Sequence, residues 1–138
     1  MKALVLAGGL AQIELLKQLK CRKIETVLLD GSENAIAIPY ADKFVKANIM
    51  DDAVVKKIAT EEKVDFLITV CADQVLLICA KVSEEMGLPC YIDYKTAVNV
   101  SDKKYMKKIF WENNIPTSRY VETDELNLDK LSELKYPL

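Results

Sequence analysis

The 138-residue sequence contains no histidine, and none of its four cysteines forms a C-x-x-C pair with another. Zinc sites are commonly built from histidine or from closely spaced cysteines, so we do not expect a zinc site within this chain. The base of a Ser-His-Asp or Cys-His catalytic group is missing for the same reason. We expect reduced thiols, with Cys79 and Cys90 packed as small apolar side chains. Cys71, at the end of a predicted strand, is the thiol for which a nucleophilic role stays open.

Blocks of basic residues and long apolar runs are missing as well. The formal charge is −2, and lysine and arginine are spread along the chain, so nucleic acid is not an expected partner. Met1 and Lys2 lead directly into an apolar run at residues 3–7 that is too short for a signal peptide, and no stretch approaches transmembrane length. With 51% apolar and 29% charged residues, the composition is that of an ordinary globular domain. We therefore expect a cytoplasmic protein without a membrane partner.

Apolar strand patterns alternate with helical patterns along the first part of the chain. The predicted strands are residues 3–7, 26–30, 43–47, 65–70 and 90–92. The predicted helices are residues 10–20, with Leu10, Ile13, Leu16 and Leu19 inward, residues 51–63, capped by Asp51, and residues 73–86, closed by Gly87. Continuously apolar strands joined by helices are typical of a parallel sheet that is covered on both faces. The pattern predicts the α/β class, with a Rossmann-like, doubly wound, mostly parallel sheet.

The regular alternation of strand and helix patterns ends after residue 92. We predict a helical turn at residues 96–100, a helix at 102–113 capped by Ser101, a strand at 119–122 and a helix at 124–134. The last residues, 135–138, resemble the start of a further strand. We place the domain boundary near residue 100, giving domains 1–100 and 101–138. The simplest interpretation is that the chain is the N-terminal piece of a larger protein.

Two loops are candidates for ligand binding, because ligands bind open parallel sheets beyond the carboxyl ends of the strands. The first loop carries Gly8, Gly9 and Gln12 and leads into a helix N-terminus, which favours an anion. The second follows the strand at 65–70 and carries Asp73. Asp30, at the end of the second strand, is a further candidate because such an aspartate can bind a ribose hydroxyl.

Each candidate also has a purely structural interpretation. Gly8 and Gly9 can serve a tight turn and close packing of helix on strand, and the G-x-G-x-x-G dinucleotide pattern is incomplete because its second and third glycines are missing. Asp30 can simply start the following turn, Asp73 can act first as a helix N-cap, and Gln12 can point to the crevice or to solvent.

The combination of these segments resembles the N-terminal, pre-ATP-grasp part of ATP-grasp enzymes, especially the branch related to the large subunit of carbamoyl phosphate synthase. The resemblance covers essentially the whole chain. It is carried by the glycine turn at residues 6–12, the strand ending in Asp30, the segment 65–73 with its helix, and the pair Asp102-Lys103. The pair opens a helix that leads to an Ile-Pro turn at residues 115–116, as in the family. One departure is that relatives often carry further small residues after the two glycines.

The resemblance implies a pre-ATP-grasp domain followed by the first, truncated elements of an ATP-grasp domain. Lys103 matches the lysine that contacts nucleotide phosphate, whereas Lys104 is expected in solvent. The full-length enzyme would use ATP and Mg²⁺ to convert a carboxylate into an acyl phosphate, which an amine or similar nucleophile then attacks. The metal ligands and a second ATP-binding lysine would lie outside this chain. The implied partners are therefore small carboxylate and amine substrates, and a homodimer is possible.

From these family features we expect the fragment alone to be inactive, with Gly8, Gly9, Gln12, Asp30 and Asp73 contributing to substrate binding, no catalytic residue and no metal ligand. Two other functions stay open. A nicotinamide-dependent oxidoreductase domain would explain the alternating pattern and Asp30, but it would not explain the incomplete glycine pattern. A ligand-binding or regulatory module without chemistry of its own would explain the fold.

Overall fold

The computed structural model describes residues 1–121. These residues form four strands, five α-helices and one short 3₁₀ helix. In chain order the elements are β1 (Lys2–Leu6), α1 (Leu10–Cys21), β2 (Glu25–Asp30), the 3₁₀ helix (Ile38–Tyr40), β3 (Lys43–Lys46), α2 (Asp52–Glu61), β4 (Phe66–Ile68), α3 (Asp73–Met86), α4 (Tyr94–Ser101) and α5 (Lys103–Glu112). The chain divides into two compact units, of which the first is Met1–Ser101 and the second begins at Asp102.

The four strands form one parallel sheet in the order β3-β2-β1-β4. Strands β2 and β3 lie in turn on one side of β1, whereas β4 lies on the other side of β1. The order therefore reverses between β1 and β4, where the two loops that follow these strands meet at the carboxyl edge of the sheet. The structure confirms the predicted α/β, Rossmann-like, doubly wound fold.

Each face of the sheet is covered by a separate apolar core. On one face, alternate residues of β1 and β2 pack against α2 and α3, with Leu4, Leu29, Val55 and Val82 fully buried. The opposite face packs against α1, and Leu16 is fully buried there. Because both faces of the sheet are covered, the sequences of β1 and β2 are nearly continuous apolar runs.

The ends of two helices follow from single residues. The Asp51 side chain accepts a hydrogen bond from the Val54 N–H at 3.1 Å and caps α2, as predicted. Helix α3 ends at Gly87, whose φ of 65° lies in the left-handed region that glycine adopts without steric cost. The N–H of Leu88 then donates to the Ser83 carbonyl at 2.8 Å, which completes the C-terminal turn.

Several predictions made in the first unit were wrong. Residues 90–92 contain no strand, since Tyr91 and Ile92 lie in a bend, and β4 ends at Ile68 rather than at residue 70. Leu10 is 76% exposed because α1 begins at that residue, ahead of the turns that contact the sheet, and Gln12 is buried instead.

The second unit is described from Asp102 to residue 121. Asp102, not Ser101, is the N-cap of α5, and its carboxylate accepts from the Tyr105 N–H at 3.1 Å. Ser101 is instead the last residue of α4. Residues 119–121 contain no strand, while Glu122 and the predicted helix at 124–134 lie outside the described residues.

Candidate functional site

The turn after β1 is shaped by close packing at Gly8. Its N–H donates to Oδ2 of Asp30 at 2.6 Å, and its carbonyl accepts from the Ala37 N–H at 3.1 Å. A β-carbon built on Gly8 would lie 2.6 Å from the β-carbon of Ala35, well inside van der Waals contact. The preceding residue, Ala7, has a φ of 73°, in the left-handed region. Glycine is required at position 8 because residues 35–37 pack directly onto it.

Asp30 orders the turns at the carboxyl ends of β1 and β2. Besides the bond from Gly8, its Oδ1 accepts from the Ser32 N–H at 2.7 Å, so both carboxylate oxygens bind backbone N–H groups. The bond from Ser32 matches the structural role in which Asp30 starts the turn after β2. The bond from Gly8 shows that Asp30 also holds the turn after β1. Its role in binding substrate stays a prediction.

Gln12 connects the two candidate loops across the point where the strand order reverses. The side chain is 3% exposed, and its Nε2 donates to the Val70 carbonyl at 2.7 Å. It therefore points neither to solvent nor into open space but to the loop after β4. Gly9 occupies the N-cap position of α1 and has no side chain to hydrogen-bond the helix N-terminus. A β-carbon on Gly9 would lie 3.1 Å from Oε1 of Gln12. Small residues at this turn leave room for the buried amide.

Polar groups at the end of β4 are also paired within the protein. The Thr69 hydroxyl donates to the Leu6 carbonyl at 2.9 Å, which ties β4 to β1 beyond the last ladder pair. The Thr69 carbonyl accepts from the Tyr91 hydroxyl at 2.9 Å. Cys71 follows with a φ of 52° and an exposed side chain. Residues with strained backbone thus follow both strands at the reversal point, and such residues tend to cluster at functional sites.

Beyond the carboxyl end of β4 lies an open depression of about 520 Å³. It is lined by Ile68, Thr69, Val70, Cys71 and Tyr91. We call it the β4 depression. Sequence reasoning missed Thr69 and Tyr91 as members of this site, and the only signals in the sequence were a threonine inside an apolar strand and an aromatic residue shortly after α3.

The environment of Tyr91 keeps its hydroxyl protonated. Although 60% of the residue surface is exposed, the hydroxyl end lies against Thr69, and burial together with the nearby Cys79 and Cys90 thiols raises the pKa of Tyr91 to about 12. Burial likewise raises the pKa of the Cys79 thiol. Cys79 is fully buried, as predicted, and Cys90 is partly buried against the same core.

The remaining predicted site residues lie at helix starts. Asp73 is the first residue of α3, and the N-cap is Ala72, which makes no side-chain cap, so the predicted capping role of Asp73 was wrong. Lys103 is the first residue of α5 in the second unit. The structure thus brings Gly8, Gly9, Gln12 and Asp30 together in one turn region, with Asp73 at the same edge of the sheet. The binding roles of all six residues stay predictions.

Residues 1–121 contain no group of three cysteine, aspartate or glutamate side chains that could hold a metal ion. The family resemblance implies Mg²⁺ ligands outside this chain, so we assign the described residues no magnesium-dependent step. Within the same residues, no helix is both long and apolar enough to cross a lipid bilayer.

Comparison with known proteins finds similarity in structure alone. No protein-family model matches the sequence, and no curated protein matches it either. Among solved structures, phosphoribosylglycinamide synthetase from Anaerococcus prevotii is similar over 99% of this chain, with a TM-score of 0.71 and 24% identity. L-amino acid ligase from Bacillus licheniformis is similar over 99% of this chain, with a TM-score of 0.77 and 19% identity.

A third similar structure is N5-carboxyaminoimidazole synthetase from Staphylococcus aureus, solved in complex with ADP. It matches 96% of this chain with a TM-score of 0.74 and 16% identity. The chain spans about a third of the length of these proteins, which is 35% of each of the three. These structural neighbours are ligases of the ATP-grasp family, so the predicted resemblance is confirmed at the level of the fold.

Proposed function

We propose that this chain is the substrate-binding part of an ATP-dependent ligase that activates a carboxylate as an acyl phosphate. The observation that carries the proposal is the fold match to ATP-grasp ligases over nearly the entire chain. Because the chain spans about a third of those proteins, the complete activity would also require sequence beyond these residues.

The geometry at the carboxyl edge of the sheet is suited to binding rather than to bond breaking. The loops after β1 and β4 meet where the strand order reverses, which is where ligands bind in such sheets. Helix α1 begins there at Leu10, and its N-cap residue, Gly9, provides no side-chain hydrogen bond, so the N-terminal dipole favours a negatively charged group. Asp30 and Gln12 hold these loops through hydrogen bonds to backbone groups. We propose that this edge positions the acceptor substrate.

The proposed chemistry follows from the ligase class. A carboxylate oxygen attacks the γ-phosphorus of ATP, the bond to ADP breaks, and an acyl phosphate forms. An amine then attacks the acyl carbon, loses a proton and expels inorganic phosphate. Lys103 is proposed to neutralise nucleotide phosphate, a role for which a flexible cation is suited because it requires no planar pairing. Among ATP-grasp branches we propose the one that resembles carbamoyl phosphate synthase, acting in the cytoplasm with ATP and Mg²⁺.

The proposal can be tested with the 138-residue chain and with the longer protein read from the gene. We expect ADP formation only from the longer protein, and only when a carboxylate substrate is present. Lys103→Ala should lower the rate by about 100-fold, the usual cost of losing one charge-stabilising group. Lys104→Ala, the neighbouring lysine, is the matched control and should change the rate less than threefold.

Three results would contradict this assignment. Magnesium-dependent ATP turnover by the 138-residue chain would show that it is not an inactive part. Equal effects of Lys103→Ala and Lys104→Ala on the rate of ADP formation would contradict the proposed role of Lys103 in neutralising nucleotide phosphate. A longer protein that forms no ADP with any carboxylate but still binds a small ligand would favour the binding-module alternative.

A further inference from the structure

The β4 depression is formed almost entirely by apolar surface. Its lining residues are two aliphatic side chains, a threonine, a cysteine and the ring of Tyr91, and none of them carries a charge. A phosphate or a free carboxylate therefore has no charged side chain to bind on this lining, since buried or partly buried anions require paired charges or several hydrogen-bond donors.

Three hydrogen bonds within the protein use polar atoms beside the depression. The Thr69 hydroxyl is bonded to the Leu6 carbonyl, and the Thr69 carbonyl accepts from Tyr91. The Val70 carbonyl accepts from the buried amide of Gln12 at 2.7 Å. A ligand group placed here would meet a lining made mainly of methyl groups, a thiol and an aromatic ring.

Tyr91 is the one lining residue that comes from outside the segment 68–71. Its hydroxyl is anchored to the Thr69 carbonyl at 2.9 Å, while 60% of the residue stays exposed. An aromatic side chain that is held at its hydroxyl and lines a depression is a preorganised apolar surface, because little side-chain freedom is lost when a ligand packs on it.

We propose that the β4 depression binds the apolar side chain of a small substrate of this protein. Its volume of about 520 Å³ lies within the usual range for small-molecule sites. The proposal rests on the proposed function and adds to it a substrate class, in which the carboxylate or the amine carries an aliphatic or aromatic group. The test uses a carboxylate series and an amine series, and its outcome assigns the apolar group to one of the two substrates.

The test measures alkylation of Cys71 by iodoacetamide in the 138-residue chain, site by site, by mass spectrometry. Cys71 lines the depression and is exposed, so a bound side chain should slow its reaction. The probes are acetate, butyrate and hexanoate in one series and ethylamine, butylamine and hexylamine in the other, at constant ionic strength. Cys21, which is exposed on α1, serves as the internal reference.

We expect protection of Cys71 that strengthens with chain length, whereas the alkylation rate of Cys21 stays constant. The half-protecting concentration should fall about two- to fourfold for each added methylene, as expected when a methylene leaves water. Protection by the carboxylate series assigns the apolar group to the activated substrate, and protection by the amine series assigns it to the nucleophile. Equal protection by short and long probes, or no protection by either series, overturns the proposal.

Variants of the aromatic wall provide the second measurement. Tyr91→Ala should abolish the dependence on chain length, whereas Tyr91→Phe keeps the ring and should retain it. Tyr40→Ala removes another exposed tyrosine, which lies outside the depression, and is the control. Cys79 is fully buried, so its lack of alkylation reports that each variant is folded. Retention of the chain-length dependence in a folded Tyr91→Ala variant overturns the proposal.

The outcomes separate this proposal from the ligase assignment. Protection of Cys71 needs no nucleotide, so it can be observed even if the longer protein forms no ADP. Conversely, a longer protein that forms ADP while Cys71 stays unprotected would retain the ligase assignment and overturn only the apolar substrate class.

Discussion

Replacement of Gly8 by alanine tests whether close packing shapes the turn after β1. The added methyl group would lie 2.6 Å from the β-carbon of Ala35 and 3.3 Å from Oδ2 of Asp30. Normal carbon–carbon contacts are about 3.5–4.0 Å, so the segment around Ala35 must move by about 1 Å. That movement strains the hydrogen bonds from Gly8 N–H to Asp30 and from Ala37 N–H to the Gly8 carbonyl.

The expected loss of stability can be bounded from these contacts. Overpacking costs about 1–3 kcal/mol, and a weakened hydrogen bond to a carboxylate adds about 1–2 kcal/mol. We expect Gly8→Ala to lower the free energy of unfolding by about 2–5 kcal/mol, measured by urea denaturation with circular dichroism. Gly31→Ala is the matched control, because its methyl group would meet nothing closer than the Ala47 carbonyl at 3.8 Å. That variant should stay within about 1 kcal/mol of the parent.

A double variant identifies the cause. Ala35→Gly removes the atom that the new methyl group strikes, so Gly8→Ala should cost at least about 1 kcal/mol less in that background than in the parent. If the cost of Gly8→Ala is unchanged by Ala35→Gly, or is no larger than that of Gly31→Ala, packing against residues 35–37 is not what requires a glycine at position 8.

Three further predictions follow from single contacts. Gln12→Met keeps the side-chain length but leaves the Val70 carbonyl without its donor, so urea denaturation should show a loss of about 1–3 kcal/mol; an unchanged midpoint would contradict this. Asp52 is paired with Lys81, which lowers the pKa of its carboxyl, so its stabilising effect is present above the usual carboxyl pKa and is lost as pH falls. The difference in stability between the parent and Asp52→Asn should therefore shrink between pH 5 and pH 3, and a constant difference would exclude the ion pair as its source. Cys79 should react with iodoacetamide only on global unfolding, because it is buried and its thiol pKa is raised; reaction as fast as that of Cys21 would contradict this.

Local patterns in the sequence were sufficient for the regular elements. The apolar runs of β1 and β2 predicted a sheet covered on both faces, and the structure contains those two cores. The cap at Asp51 and the helix end at Gly87 were also predictable, because each depends on residues within one turn of the chain.

Contacts between distant residues could not be predicted in the same way. Gln12 is buried because a carbonyl 58 residues later accepts its hydrogen bond, and no local pattern identifies that carbonyl. Tyr91 was placed in a strand because three apolar residues in a row fit that pattern, yet its hydroxyl bonds to Thr69 and the backbone bends instead. The cap of α5 was misplaced by one residue because Ser101 and Asp102 are both good N-cap residues. The shape of the candidate site depends on such long-range hydrogen bonds, which is why its members were only partly foreseen.

The outer strand β3 has a lysine at each end, and both ammonium groups are engaged. Lys43 pairs with Glu62, and Lys46 pairs with Glu33. A second molecule that extended the sheet along β3 would have to displace these pairs or bring carboxylates of its own, since exposed strands bearing lysine resist pairing with another chain. Self-association of this protein, including the homodimer considered from its sequence, would therefore be expected to use a surface other than the β3 edge.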